Sequence, residues 1–295
     1  MAQLSEYLRA CRARVSAEEL GLPAVGRRRV PGLRREELAA LAGVSVDYIV
    51  RLEQGRVRSA SPSVLLALAE ALRLQPDERE YLLRLADDDA AVAGKVAQTA
   101  PKRRQVSSAT RVLLDDLVNA PALLLGRRMD VLAWNKLGAA LFTDFGELPS
   151  RQRNHIWLTF LDPRVRGLYA DWPKVARECV AYLRMDAVRY PDDPELAQLV
   201  GELSLKDKDF GTWWSDHRVR AQRQGRKRFS HRVAGELELD FQVLDVRGGT
   251  DQSLLVYTAD PGSHSAEALA FLTSWSAAQT PESRPGHSHD RESRA

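Results

Sequence analysis

Cysteine is nearly absent from this 295-residue chain, which has only Cys11 and Cys179. They lie far apart and match no disulfide framework or zinc spacing, so a reducing, intracellular setting is expected. Long apolar runs are missing too. No segment approaches the ~18 consecutive apolar residues of a membrane helix. The opening MAQLSEYLRACRARV lacks the apolar core of a signal peptide. Both absences point to a cytoplasmic protein without a membrane partner. Catalytic signatures are also lacking: there is no G-x-S-x-G, H-E-x-x-H, P-loop or G-x-G-x-x-G. Of the six histidines, His287 and His289 fall in a polar tail, and His155 and His264 have no partner at a motif spacing. His217 and His231 have no cysteine or paired carboxylate at ligand spacing, so no metal site and no cofactor are expected.

Lysine is missing from the first sixty residues, where eleven arginines face seven acids. The whole chain carries only +3, so the charge is concentrated where a DNA-binding module would need it. Apolar residues make up 44% of the chain, enough for real cores, and the length suggests two domains. Residues 1–86 read as successive helices, 87–108 as a linker, 109–276 as a mixed second domain and 277–295 as a disordered tail.

The sharpest pattern is LRREELAALAGVSVDYIVRLEQG, Leu33 to Gly55. Ala39 is small enough for two helices to cross closely. Gly43, four residues on, can take a left-handed turn without a Cβ clash. Ile49 and Leu52 are expected to face inward against Leu38 and Leu41. Ser45 caps the second helix and Gly55 ends it. The spacing makes Ser45–Gln54 a recognition helix with Val46, Asp47, Val50 and Arg51 outward. Arg51 suits guanine, Asp47 a cytosine amine, and the valines a thymine methyl. Arg34, Arg35, Ser45, Arg56 and Arg58 flank this helix at positions suited to phosphates. Glu53 is expected to be structural, paired with Arg9 or Arg12. Two amphipathic helices around a glycine turn also occur in proteins that never touch DNA, and the arginine-rich setting favours the DNA reading.

The segments PGLRREELA, AGVSVDY and RLEQGR, from Pro31 to Arg56, resemble the xenobiotic-response-element (lambda-repressor-like) helix-turn-helix family. The resemblance implies a five-helix domain, with further helices at Leu4–Arg14, Pro62–Leu72 and Pro76–Leu85.

The second domain opens with helix-like RVLLDDLV. PALLLGRR and DVLAWN flank Met129 as a strand hairpin, and Asn135 caps the next helix. A long helical region follows from Ser150 to His217, with Trp172, Val175, Cys179 and Leu183 on one stripe and a helix start at Asp193–Pro194. In GELELDFQV, Leu237, Leu239, Phe241 and Val243 alternate with polar residues, as in a half-buried strand. SLLVYTA is another strand, and SAEALAFLTSW a closing helix. The segments PALLLGRRMDVLAWN, FLDPRVRGLYADW, PDDPELAQLVGELS and GRKRFSHRVAGELELDF resemble the MmyB-like ligand-binding domain. That resemblance implies a PAS-like α+β fold with a small antiparallel sheet. It also leads one to expect proline where Arg232 follows His231, which leaves the local loop geometry open.

The implied effector is a small apolar, fatty-acid-like molecule. Its candidate pocket residues are Trp134, Phe142, Trp157, Tyr182, Trp213, Trp214, His217, Arg218 and His231. Any single aromatic reads more readily as core than as pocket, and Arg218–Val233 reads also as a solvated basic loop. The expected function is a sequence-specific transcriptional regulator, not an enzyme, that binds double-stranded DNA as a homodimer. The alternatives are a DNA binder whose second domain only dimerises and, less favoured, an enzyme acting on a small molecule.

Overall fold

The computed structural model describes residues 2–16, 18, 20–21, 32–57, 59–91, 106–216, 223–246 and 251–279. The N-terminal part is helical: α1 (Ala2–Arg14), α2 (Arg35–Ala42), α3 (Val46–Glu53), α4 (Pro62–Ala71) and α5 (Pro76–Ala91). Local chemistry sets each boundary. The Glu37 carboxylate accepts the Arg34 backbone N–H at 2.7 Å and closes the start of α2. Gly43, at φ 65° and ψ 31°, ends that helix and returns its N–H to the last turn. Ser45 Oγ accepts from the Tyr48 N–H at 3.1 Å, and Ser61 precedes Pro62 at the start of α4. Gly32 lies so close to α1 that a Cβ there would sit 2.5 Å from the Arg12 carbonyl oxygen.

Leu4, Tyr7, Leu8, Leu33, Leu38, Ile49, Leu52 and Leu68 form the centre of this core. Ala39 is buried at the expected crossing. Leu41 departs from expectation: it is 42% exposed, and Ala42 takes the inward place. On a helix this short, Leu38, Ala39 and Ala42 make one stripe, and Leu41 falls beside it.

The second domain contains α6 (Ser108–Asp116), β1 (Ala122–Leu125), β2 (Val131–Trp134), α7 (Lys136–Leu141), α8 (His155–Leu161), α9 (Pro163–Leu168), α10 (Trp172–Arg189), α11 (Pro194–Lys206), α12 (Lys208–Ser215), β3 (Gln224–His231), β4 (Gly235–Val246), β5 (Gln252–Thr258) and α13 (His264–Gln279). The strands form one sheet in the order β2-β1-β5-β4-β3, with every neighbouring pair antiparallel. Helices lie between β2 and β3, in the PAS-like α+β arrangement. Asp162, Asp171, Asp193 and Asp207 each cap a new helix. They cut the long helical region into short pieces that wrap the sheet.

Strand β3 occupies part of the segment read as a solvated basic loop. Its register with β4 runs from Gln224↔Gln242 to His231↔Gly235. Phe229 points inward and is fully buried. Arg226 points outward and pairs with Asp240 at 2.8 Å and Asp260 at 3.0 Å. A strand at the sheet edge can be charged on its open face, so composition alone mimics a loop.

The sheet has two apolar faces. The inner face, with Leu123, Phe229, Leu237, Leu239, Phe241, Leu255 and Tyr257, packs against α7–α10 and α13. The outer face, with Ala122, Leu124, Ala133 and Leu254, is covered by Leu114 of α6. Helix α5 continues to Ala91 and α6 begins at Ser108, so helix enters both ends of the expected linker; residues 92–105 lie outside the described residues. Helix α13 reaches Gln279, and the rest of the expected tail lies outside them as well.

The two domains share α10. Val175, Cys179 and Leu183 belong to the second core. Val188, one helical turn and more beyond, is 3% exposed within the N-terminal core, and Met185 packs beside it. Between them lies Arg184, buried, with its guanidinium 4.6 Å from the centre of the Trp214 ring and near enough to the Tyr81 side chain of α5 to interact with it.

Candidate nucleic-acid interface and ligand core

Helix α3 is strongly two-sided. Ile49, Leu52 and Glu53 are buried, whereas Val46, Asp47 and Arg51 are exposed and Val50 is half-buried. Arg51 Nη1 lies 3.9 Å from Asp47 Oδ2, an exposed i,i+4 contact that a base edge can displace. The four expected base-reading residues therefore share one open face. Its rim holds Ser45, exposed and capping, half-buried Arg34 and exposed Arg56. Arg58 lies outside the described residues.

Arg35 has a second commitment. Its Nε donates to Glu53 Oε2 at 2.7 Å, while Arg12 Nε donates to Glu53 Oε1 at 2.6 Å. Arg12 also donates to the Leu33 carbonyl at 2.7 Å. Of the two expected partners of Glu53, Arg12 is present, whereas Arg9 turns back to the Ser5 carbonyl. Burial alone would raise the Glu53 carboxyl, but the hydrogen bonds and charges of Arg12 and Arg35 outweigh it and hold its pKa below the ordinary value. This carboxylate ties the end of α3 to α1 and to the start of α2, and so fixes the angle at which α3 is presented.

The seven candidate pocket residues that are described are spread over several parts of the domain. Phe142 alone sits at the centre of the inner face, with ring centres 5.5 Å from His155, 6.2 Å from Phe229 and 5.7 Å from Tyr257. Trp213 packs on Trp172, and Trp214 stacks on Phe210, where α10 and α12 meet. Trp157 donates to Glu202, and Trp134 packs on Phe145. Tyr182 interacts with Ser253 of β5. His231 is engaged at both nitrogens: Nδ1 accepts from the Val233 and Ala234 N–H groups, and Nε2 donates to the Ala140 carbonyl. It thus organises the β3–β4 turn where proline was expected nearby. His217 and Arg218 lie outside the described residues.

Other residues make the polar centre of this core. Thr159 Oγ1 donates to the His155 carbonyl at 2.8 Å and lies 3.3 Å from Nδ1. The Tyr169 hydroxyl is 3.3 Å from Nε2. This network suits a neutral imidazole with its proton on Nδ1. Burial, aided by the nearby Lys227 charge, pushes the His155 pKa down to about 3. The buried Tyr257 hydroxyl makes no hydrogen bond of normal geometry, although the Tyr169 side chain is near enough to interact. Glu178 Oε2 is also buried without a hydrogen bond, 3.5 Å from Lys227 Nζ. Sequence reasoning missed this group because its members come from α8, the residue after α9, α10, β3 and β5. No spacing announces them. A surface hollow of about 340 Å³, lined by Leu74, Pro76, Arg79, Glu80 and Leu83, lies in the N-terminal domain, away from both sites.

A helix-turn-helix joined to a PAS-like α+β domain defines a two-domain transcription regulator. The chain belongs to the MmyB-like family: residues 106–272 match the model of the MmyB-like transcription regulator ligand binding domain, and residues 3–82 match a helix-turn-helix domain. Both are regulatory domains. No curated protein gives a match. Among the described residues, no helix is long and apolar enough to cross a membrane, and no cluster of His, Cys, Asp and Glu could hold a metal ion.

Proposed function

We propose that this protein binds a specific near-palindromic DNA site as a homodimer and that a small ligand in the second domain changes that binding. The observation that carries the DNA reading is α3, whose exposed face gathers Val46, Asp47, Val50 and Arg51 while its other face is locked in the core. A major groove admits such a helix, and two copies read half-sites about one helical turn, ~34 Å, apart. Arg34, Arg56 and Arg58 contact phosphates, with Arg35 contributing through whatever Glu53 leaves accessible.

The ligand reading rests on the buried Tyr257 hydroxyl, which has no hydrogen bond of normal geometry, and on the buried Glu178 oxygen, whose one partner is the Lys227 charge at 3.5 Å. An unmade buried hydrogen bond costs about 1–3 kcal/mol, so such atoms need an explanation. The proposed ligand is a small, mainly apolar molecule with one polar or acidic end, held against Phe142 and Phe229 with its polar end toward Tyr257 and Lys227. Such a ligand would touch the first half of α10, whose second half lies in the DNA-binding core. A tenfold change in DNA affinity requires about 1.4 kcal/mol of difference between the two states.

Binding to duplexes that differ at single base pairs tests the reading. Arg51→Ala is expected to lose roughly 1–3 kcal/mol and relax preference at one position, while Arg56→Ala weakens all sites equally. Loss of affinity in both mutants with sequence preference unchanged would remove Arg51 from base reading. Native mass spectrometry of the full chain tests the second part: an associated small molecule that is lost in Phe142→Trp is expected, and its absence from cell-purified protein contradicts an occupied site.

A further inference from the structure

The open face of α3 carries one charge of the wrong sign for DNA. Asp47 lies in the first turn of the helix, and its side chain is 79% exposed, against 55% for that of Arg51. At 3.6 residues per turn, Asp47 and Arg51 stand on the side of α3 opposite the buried Ile49, Leu52 and Glu53. They therefore point toward the bases when this helix lies in a major groove. The rim around them is cationic, with half-buried Arg34 and exposed Arg56. The contacts that fix α3 do not use Asp47. Ser45 Oγ accepts the Tyr48 N–H at the helix start, and Ile49, Leu52 and Glu53 hold the other face. Among the described residues, the cationic partner of Asp47 is Arg51, 3.9 Å away and exposed, a contact that adds little stability. A first-turn acid also meets the helix dipole favourably, but that effect is small at so open a position.

A carboxylate in the groove is repelled by the phosphates, so on DNA of arbitrary sequence it costs affinity. It is also repelled by acceptors on the base edges. Guanine presents N7 and O6 and thymine presents O4, all of them acceptors. Cytosine presents its N4 amine, and adenine presents its N6 amine beside the N7 acceptor. Cytosine is thus the one base that offers a donor with no acceptor of its own next to it. We propose that Asp47 sets specificity by exclusion: it weakens binding to every site that does not place an amine, cytosine first, against it, and Arg51 balances its charge while the helix is free. An unpaired charge that penalises wrong partners is a general route to specificity. This rests on the DNA reading above and adds a sign to it. A residue that only gains contacts weakens binding when it is removed, whereas neutralising Asp47 strengthens binding to all other DNA.

Fluorescence anisotropy of the full chain on two DNAs tests this, with circular dichroism to check folding. One is the duplex that wild type enriches from a random library, and the other is a random-sequence pool of the same length. Asp47→Asn is expected to bind the random pool about tenfold more tightly, the effect of removing one charge near the phosphates. Its log–log salt slope should steepen by about 0.9, because one opposing charge is lost. The ratio of specific to random affinity should fall by about tenfold or more. At one position in each half-site the preference should move from cytosine toward adenine, whose N6 and N7 suit an amide. Asp47→Glu keeps the charge and should bind the random pool as weakly as wild type does. Equal weakening of Asp47→Asn on both DNAs overturns the proposal, because a residue that only starts the helix would behave so. An unchanged affinity for the random pool overturns it as well, and in both cases the DNA reading stands on the wild-type site. If wild type enriches no site and binds neither DNA, the DNA reading fails and the exclusion fails with it.

Discussion

Removing the Glu53 carboxylate tests how the recognition helix is held. Glu53→Ala leaves the Arg12 guanidinium, 15% exposed, and Arg35, 46% exposed, without their shared partner. Breaking a buried ion pair costs about 3–5 kcal/mol, whereas a half-exposed pair contributes only about 0–1 kcal/mol. Most of the loss should therefore arise at Arg12, which still donates to the Leu33 carbonyl. The expected destabilisation is about 3 kcal/mol, a shift of roughly 1–3 M in the urea midpoint of the N-terminal domain. Arg12→Ala should approach that loss, and Arg35→Ala should stay below about 1 kcal/mol. The Glu53 pKa is depressed in the folded state, so its stabilisation is present above the ordinary carboxylate pKa and is lost as pH falls through the folded value. Urea titrations followed by far-UV circular dichroism at several pH values supply both readouts. A Glu53→Ala loss under about 1 kcal/mol, or an Arg35→Ala loss equal to that of Arg12→Ala, would refute the reasoning.

His155, with its pKa pushed down to about 3, is neutral when folded and must charge on unfolding below about pH 6.5. Stability of the second domain should then fall with acidification between those values, approaching about 1.4 kcal/mol per pH unit, and His155→Gln should flatten the slope. An unchanged slope in the mutant would place the titration elsewhere. Arg184→Ala removes the group that joins Trp214 to Tyr81. Amide exchange around Tyr81 in α5 should rise while that of α3 changes little, and identical exchange in mutant and wild type would show that Arg184 does not hold the joint.

The N-terminal domain was legible because its signals are local. Ser45, Gly43, Ala39 and Pro62 act on neighbours within a few residues, and the structure places the caps and turn where the spacing put them. Asn135 and Asp193 worked in the second domain for the same reason. Strand β3 was hidden because Arg226, Lys227 and Arg228 look like a loop until Asp240 and Asp260 are brought across from elsewhere. The aromatic pocket reading scattered because a tryptophan's composition does not say which layer it joins. Trp213 and Trp214 close a helical cluster, whereas Phe142 meets the sheet. The polar centre of His155, Tyr169 and Tyr257 depends on contacts between residues far apart in sequence, which periodicity does not reveal.

Selection of bound duplexes from a random-sequence library by the full chain tests the central claim most directly. The account predicts enrichment of a near-palindrome whose half-sites lie about one helical turn apart, with one position in each half-site losing its preference in Arg51→Ala. Recovery of unenriched sequence, or of the same site with the same preference at every position in Arg51→Ala, would contradict it.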